Sequence, residues 1–248
     1  MAPALELKNV TKRFGEKVAV DDLSLAIEPG SFLGLLGRNG AGKSTTLKMA
    51  TTLMEPTHGS ISVLGLDLTT HSLEARRQMG VMPEDMALLE LLTGAQYLRF
   101  VGRMYGLDDA EIDRRGEELF DTLDLKPGPR TLVADYSFGM KKKLALCAAL
   151  IHGPKILFLD EPFEGIDAVT NRTIKDILLT LQQRGVTLVL TSHILEVVEK
   201  LCPLIAIIDE GRLKGFGTLA ELKQGADSLE ALFVNLVGGQ QRGALSWL

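Results

Sequence analysis

Nine consecutive residues, Gly37-Arg38-Asn39-Gly40-Ala41-Gly42-Lys43-Ser44-Thr45, have the composition and order needed to hold a polyphosphate. Glycines at 37, 40 and 42 let the backbone curl tightly and turn successive N–H groups inward, a nest for anionic oxygens. A helix starting here adds the partial positive charge of its N-terminus. Lys43 reaches the β- and γ-phosphates of a nucleotide such as ATP, and the Ser44 hydroxyl is a ligand for Mg²⁺. A second group is the carboxylate pair Asp160-Glu161, which ends the apolar run Ile156–Leu159. Paired acids at the carboxyl edge of a buried strand are tolerated when they face a site. There Asp160 would hold Mg²⁺, directly or through water, and Glu161 would orient and polarise an attacking water. The alternative is that both acids cap the following turn. His193 ends the last long strand, Val186–His193, at the same expected edge and, taken alone, reads as a loop histidine. His58, His71 and His152 fall in polar or turn contexts and receive no role.

These groups need strands that end together at one edge. Ser31–Leu36 is an apolar run leading into the glycine loop, and Thr45–Met54 after it carries helix-forming residues, the strand–loop–helix context of a P-loop. Upstream, Leu5, Leu7 and Val10, then Val18, Val20, Leu23, Leu25 and Ile27, alternate with polar residues. Both segments read as half-buried strands paired antiparallel, with Phe14-Gly15 near the turn. Ser60–Leu64 reads as a further short strand, and Arg76–Pro83 holds a brief apolar piece. From Met86 to Leu150 strand signals give way to helical spacing: Leu88, Leu91, Leu92, Tyr97, Phe100, Val101 and Met104, then Leu119, Phe120 and Leu123. The break Lys126-Pro127-Gly128-Pro129 interrupts this helical insert. Strand and helix then alternate again: Lys155–Pro162, a helix over Asn171–Arg184, the strand Val186–His193, a helix over Ile194–Leu201, and a hairpin around Glu210-Gly211. The pattern predicts an α/β fold with a mostly parallel open sheet covered on both sides.

With 248 residues the chain suits one large domain or two small ones. A net charge of −5 gives no support to direct nucleic-acid binding. The basic run Lys141–Lys143 reads as a solvated helix face, and Cys147 and Cys202 as two buried thiols rather than a disulfide. The longest apolar stretch, Leu144–Ile151, falls far short of the ~18 residues a membrane span requires. Glu6 and Lys8 stand where a secretion signal would be apolar, so a cytoplasmic location is expected.

Taken in order, Gly37–Thr45, Tyr136–Leu144 (YSFGMKKKL), ILFLDEP, Glu164–Asp167 (EGID) and Thr191-Ser192-His193 resemble the nucleotide-binding subunits of ABC transporters. The resemblance runs from about Leu5 to about Val237 and is most like the drug- and antibiotic-export branch, in which ATPase and permease are separate chains. It implies a P-loop NTPase, RecA-like core with a small antiparallel β subdomain and a helical subdomain. The boundaries expected within this single 1–248 domain are residues 1–85 and 151–225 for core and β subdomain, 86–150 for the helical insert with the signature segment, and 226–248 for a tail. It also implies ATP hydrolysis by a homodimer that sandwiches ATP and sits on a membrane permease at the inner face of the cell membrane. In that arrangement Ser137 and Gly139 contact the γ-phosphate bound to the opposite subunit, Asp167 lies in the loop crossing the dimer interface, and His193 contacts γ-phosphate. Phe14 matches the position on which adenine stacks, with a hydrophobic turn residue as the alternative. Glu84 occupies the position usually held by a phosphate-sensing glutamine and can still ligate Mg²⁺. Phe138 replaces the first glycine of the signature, and Glu164 stands where a small polar residue is usual. The rival readings are a soluble ABC ATPase acting on ribosomes or DNA, against which a single acidic chain without coiled coils argues, and a regulatory nucleotide-binding module without turnover.

Overall fold

The computed structural model describes residues 2–223 and 228–238. Alternating burial lets β1 (Leu5–Phe14) pair antiparallel with β2 (Lys17–Ile27), and β1 pairs on its other edge with β4 (His58–Val63). Together with the short β5 (Leu66–Asp67) they form a four-stranded antiparallel sheet in the order β2-β1-β4-β5. Phe14-Gly15 falls at the first hairpin, where Gly15 takes φ +57°.

The second sheet has the order β10-β9-β3-β8-β7-β6. β3 (Phe32–Leu36), β7 (Ile156–Asp160) and β8 (Thr187–Ser192) are buried along their whole length, as strands covered on both faces must be. They run parallel, with β6 (Met79–Met82) at one edge and β9 (Leu204–Asp209) beside β3. β10 (Arg212–Thr218) alone is antiparallel, the far arm of the Glu210-Gly211 hairpin. Residues of β3 alternate between two cores. Leu33 and Leu35 pack with the antiparallel sheet and with α1 (Lys43–Ala50), whereas Phe32 and Leu36 face a helical layer.

That layer includes α5 (Phe138–Leu150), α6 (Ala168–Gln183), α7 (Leu195–Leu201) and α9 (Leu229–Val237), with the short α8 (Leu219–Leu222) beside β10. Ser137 and Asp167 cap α5 and α6 with their side chains, fixing where both helices begin. Both thiols are buried and free, Cys147 in α5 and Cys202 just after α7. Of the expected tail, α9 is described; residues 224–227 and 239–248 lie outside the described residues.

One reading is filled in and two expectations are corrected. The apolar piece at Arg76–Pro83 is edge strand β6, preceded by α2 (Ser72–Gln78), which buries only Ala75 and so left no periodic trace. Leu88–Leu92 is not helical. Thr93 closes a capping box with Gln96 that starts α3 (Gly94–Met104), while the leucines before it lie in a loop tied down by Val133 N–H donating to Leu92 O. α4 (Asp109–Thr122), begun by the Asp108 cap, packs against α3. Lastly, Lys141–Lys143 is no solvated face: Lys142 and Lys143 are buried, and Lys141 pairs with Glu90.

Candidate functional site

Strand order places the site. β3 and β7 are separated only by β8, and all three end at one edge, so the loops after β3, β7 and β8 converge there. The first is the glycine loop. Gly40 and Gly42 take φ +82° and +107°, and a Cβ on Gly42 would lie 2.5 Å from the Ala19 carbonyl oxygen. Gly37 is equally constrained, its would-be Cβ meeting the Ile208 carbonyl oxygen at 2.5 Å. Among the described residues no side chain caps the N-terminus of α1, which opens toward the cleft with Lys43, Ser44 and Thr45 in its first turn.

The cleft measures about 560 Å³. Arg38, Asn39 and Gly40 are exposed at its rim, and Gly42, Lys43, Ser44 and Thr45 line its floor. Gly37 and Ala41 are buried beneath the loop rather than in the cleft wall. Phe14, half exposed, stands in the wall with Lys17 and Ala19, and the Lys12 ammonium lies 5.4 Å from its ring centre. Glu84, Glu161, Glu164 and His193 complete the lining.

Lys43 and Glu161 are both buried, and Lys43 Nζ lies 3.6 Å from Glu161 Oε1 while donating to the Gly37 carbonyl at 2.9 Å. The other Glu161 oxygen, Oε2, is 3.1 Å from His193 Nδ1. One carboxylate therefore joins the P-loop lysine to the histidine after β8. Glu164 crowds the same place, so that donor atoms of Glu161, Glu164 and His193 lie within 4.8 Å of one another.

Asp160 does not line this cleft. It borders an adjoining pocket of about 200 Å³, which Glu84 shares. There its Oδ1 accepts from Ser44 Oγ at 3.1 Å and from Thr191 Oγ1 at 2.5 Å. Ser44 and Asp160 are hard oxygen donors held side by side, a donor set that fits Mg²⁺, with exposed Glu84 across the pocket. Thr191, unassigned by sequence reasoning, joins both acids: register pairs it with Asp160, and its hydroxyl also accepts the Glu161 N–H at 3.0 Å. Its place in the Thr191-Ser192-His193 motif was the available signal.

Ser137 and Gly139 are not brought to the cleft. They open α5 beside the turn that begins α6, where a Cβ on Gly139 would come 3.6 Å from Asp167 Oδ2. Asp167 accepts from the Thr170 N–H and hydroxyl and from the Val169 N–H, which hold its carboxyl below the usual carboxylate range.

The family description "ABC transporter" matches residues 20–164. The linearmycin resistance ATP-binding protein LnrL of Bacillus subtilis (strain 168) is 36% identical over 93% of this chain and 75% of its own length. The daunorubicin/doxorubicin resistance ATP-binding protein DrrA of Streptomyces peucetius is 37% identical over 91% of this chain and 68% of its own. Among solved structures, an ATP binding subunit of an ABC transporter superposes with a TM-score of 0.88 at 33% identity, covering 94% of this chain and 99% of its own. The ATP-binding cassette MJ0796, as a dimer in a post-hydrolysis state bound to ADP and Pi, gives 0.80 at 25% identity over 87% and 98%.

Proposed function

Because the chain belongs to the ABC transporter family, as an ATP-binding and ATP-hydrolysing subunit, we propose that it works as a head-to-tail homodimer driving a separate membrane permease in export. The observation that carries this reading is that one cleft gathers the P-loop, Glu161 and His193 but neither Ser137 nor Gly139. A signature segment that cannot reach its own nucleotide is available to that of a second copy. The dimeric MJ0796 cassette with ADP and Pi supports the same assembly. Resistance relatives point to drugs and antibiotics as the substrate class, and a subunit so engaged sits on the cytoplasmic face of the membrane.

In this mechanism the loop N–H groups and Lys43 receive the β- and γ-phosphates, replacing the Gly37 carbonyl and Glu161 as partners of the ammonium. Ser44 and Asp160, with Glu84 nearby, would hold Mg²⁺, which supplies charge neutralisation to the phosphates. Glu161 takes the proton of the attacking water, and His193 orients Glu161 and the γ-phosphate.

Phe14 stacks on adenine. Phe14→Ala should weaken ATP by ~1–3 kcal/mol, the usual worth of base–aromatic stacking, roughly 5- to 150-fold in affinity. Inorganic triphosphate should bind nearly as before, and equal weakening of both ligands would return Phe14 to a role in the turn alone.

The permease contact is placed on the helical segment within 86–150. Leu91, Phe100 and Met104 are exposed, and Leu92, Gln96, Phe100 and Met104 line a shallow groove on α3. The groove's flanking Arg99 and Arg103 are paired with Asp113 and Asp109, so its apolar floor is what remains to be covered. Phe100→Glu with Met104→Glu should abolish transport and co-purification with the membrane subunit while ATP affinity stays within about twofold. Normal co-purification of the double variant would move the coupling surface elsewhere.

A further inference from the structure

The Glu161 backbone is strained. Its φ of +46° lies in the left-handed region, which non-glycine residues enter at a cost unless their surroundings hold them there. Two groups do so from opposite sides. The Thr191 hydroxyl takes the Glu161 N–H at 3.0 Å, and Lys142 Nζ donates to the Glu161 carbonyl at 2.8 Å, an oxygen that Glu164 N–H also approaches at 3.3 Å. Lys142 is 1% exposed, an unusual place for an ammonium. Phe138 roofs it, with the ring centre 5.6 Å from Nζ.

We propose that Lys142 is a positioning residue for ATP hydrolysis: its buried ammonium, reaching from the signature helix α5 to the Glu161 carbonyl, sets the direction in which the Glu161 carboxylate points at the attacking water. Lys142 stands five positions after Ser137, the cap of the same helix. Seating Ser137 against the nucleotide of a second copy therefore moves the group that aims Glu161 of its own chain. The inference rests on the reading of Glu161 as the base and of α5 as the cross-dimer contact. Electrostatics supports it: burial pulls Lys142 below the ordinary lysine range, while the carboxylates of Glu164, Glu161, Glu84 and Asp160 oppose that pull and favour the charged form. Phe138 in place of a signature glycine acquires a use as the cover that keeps water from the ammonium.

The test compares Lys142→Met, which keeps the stem and removes the donor, with Lys142→Arg and Lys142→Gln, which restore one. Steady-state ATP hydrolysis by the full chain and ATP affinity by calorimetry are read together, with Glu161→Gln alongside. The expected result for Lys142→Met is a kcat lowered at least tenfold, with KM and affinity within about threefold of wild type. At least one of Lys142→Arg and Lys142→Gln should recover most of that loss. Wild-type turnover in Lys142→Met overturns the proposal, as does loss of ATP affinity together with turnover, or recovery by neither donor. Undiminished hydrolysis by Glu161→Gln would instead overturn the assignment of the base itself.

Discussion

Glu161→Gln should hold the chain as an ATP-bound dimer. Glutamine keeps the shape of the side chain and its reach to His193 but cannot accept the proton of water, so turnover should fall at least a hundredfold, within the usual range for loss of a general base. Since Lys43 loses a charged partner but gains phosphate, nucleotide affinity should be kept or improved. With hydrolysis blocked and both nucleotides in place, the interface of two P-loops and two signature segments has no event to open it. Size-exclusion chromatography with ATP and Mg²⁺ should show the dimer, and wild type under the same conditions should be mainly monomer. A variant that stays monomeric, or hydrolyses at the wild-type rate, contradicts the base and the sandwich together.

Lys43→Ala should cost the chain its nucleotide. Charge-assisted hydrogen bonds are worth ~1.5–3 kcal/mol each, and in the proposed complex the lysine would make more than one to the β- and γ-phosphates, so at least a hundredfold loss of ATP affinity is expected. The ligand-free protein should suffer too. Buried Glu161 would lose its lysine partner and keep only the contact with His193 Nδ1, and stranding a buried charge costs up to ~3–5 kcal/mol. The melting temperature without nucleotide should therefore fall by several degrees. Micromolar ATP binding retained in calorimetry would remove the P-loop assignment.

The parts of this molecule that were legible in its sequence are those whose cause is local. The glycine loop carries its function in consecutive residues. β3, β7 and β8 read as strands because burial on both faces leaves apolar stretches in them, Phe32–Leu36, Ile156–Leu159 and Leu188–Leu190. What was misread has its cause elsewhere in the fold. Leu88, Leu91 and Leu92 have helical spacing, yet a capping box at Thr93 and a backbone bond from Val133 decide the matter. Three lysines in a row show no face of their own. Only the fold reveals that Lys142, beneath the Phe138 ring, and Lys143 are buried and donate to the backbone carbonyls of Glu161 and Asp124. Thr191 stands in a motif of the sequence, but its link to Asp160 becomes legible once the register of β7 and β8 sets the two side by side.

The burial of both thiols has a practical side. Thiol chemistry proceeds through the thiolate, and burial pushes Cys147 and Cys202 well above the ordinary thiol range, out of reach of reagents in solution. The sequence holds no other cysteine. The natural chain is thus already a silent background for site-directed labelling. A single cysteine introduced at an exposed position, as in Met104→Cys, would be the one reactive thiol, ready to carry a probe or a cross-linker with neither native cysteine removed first.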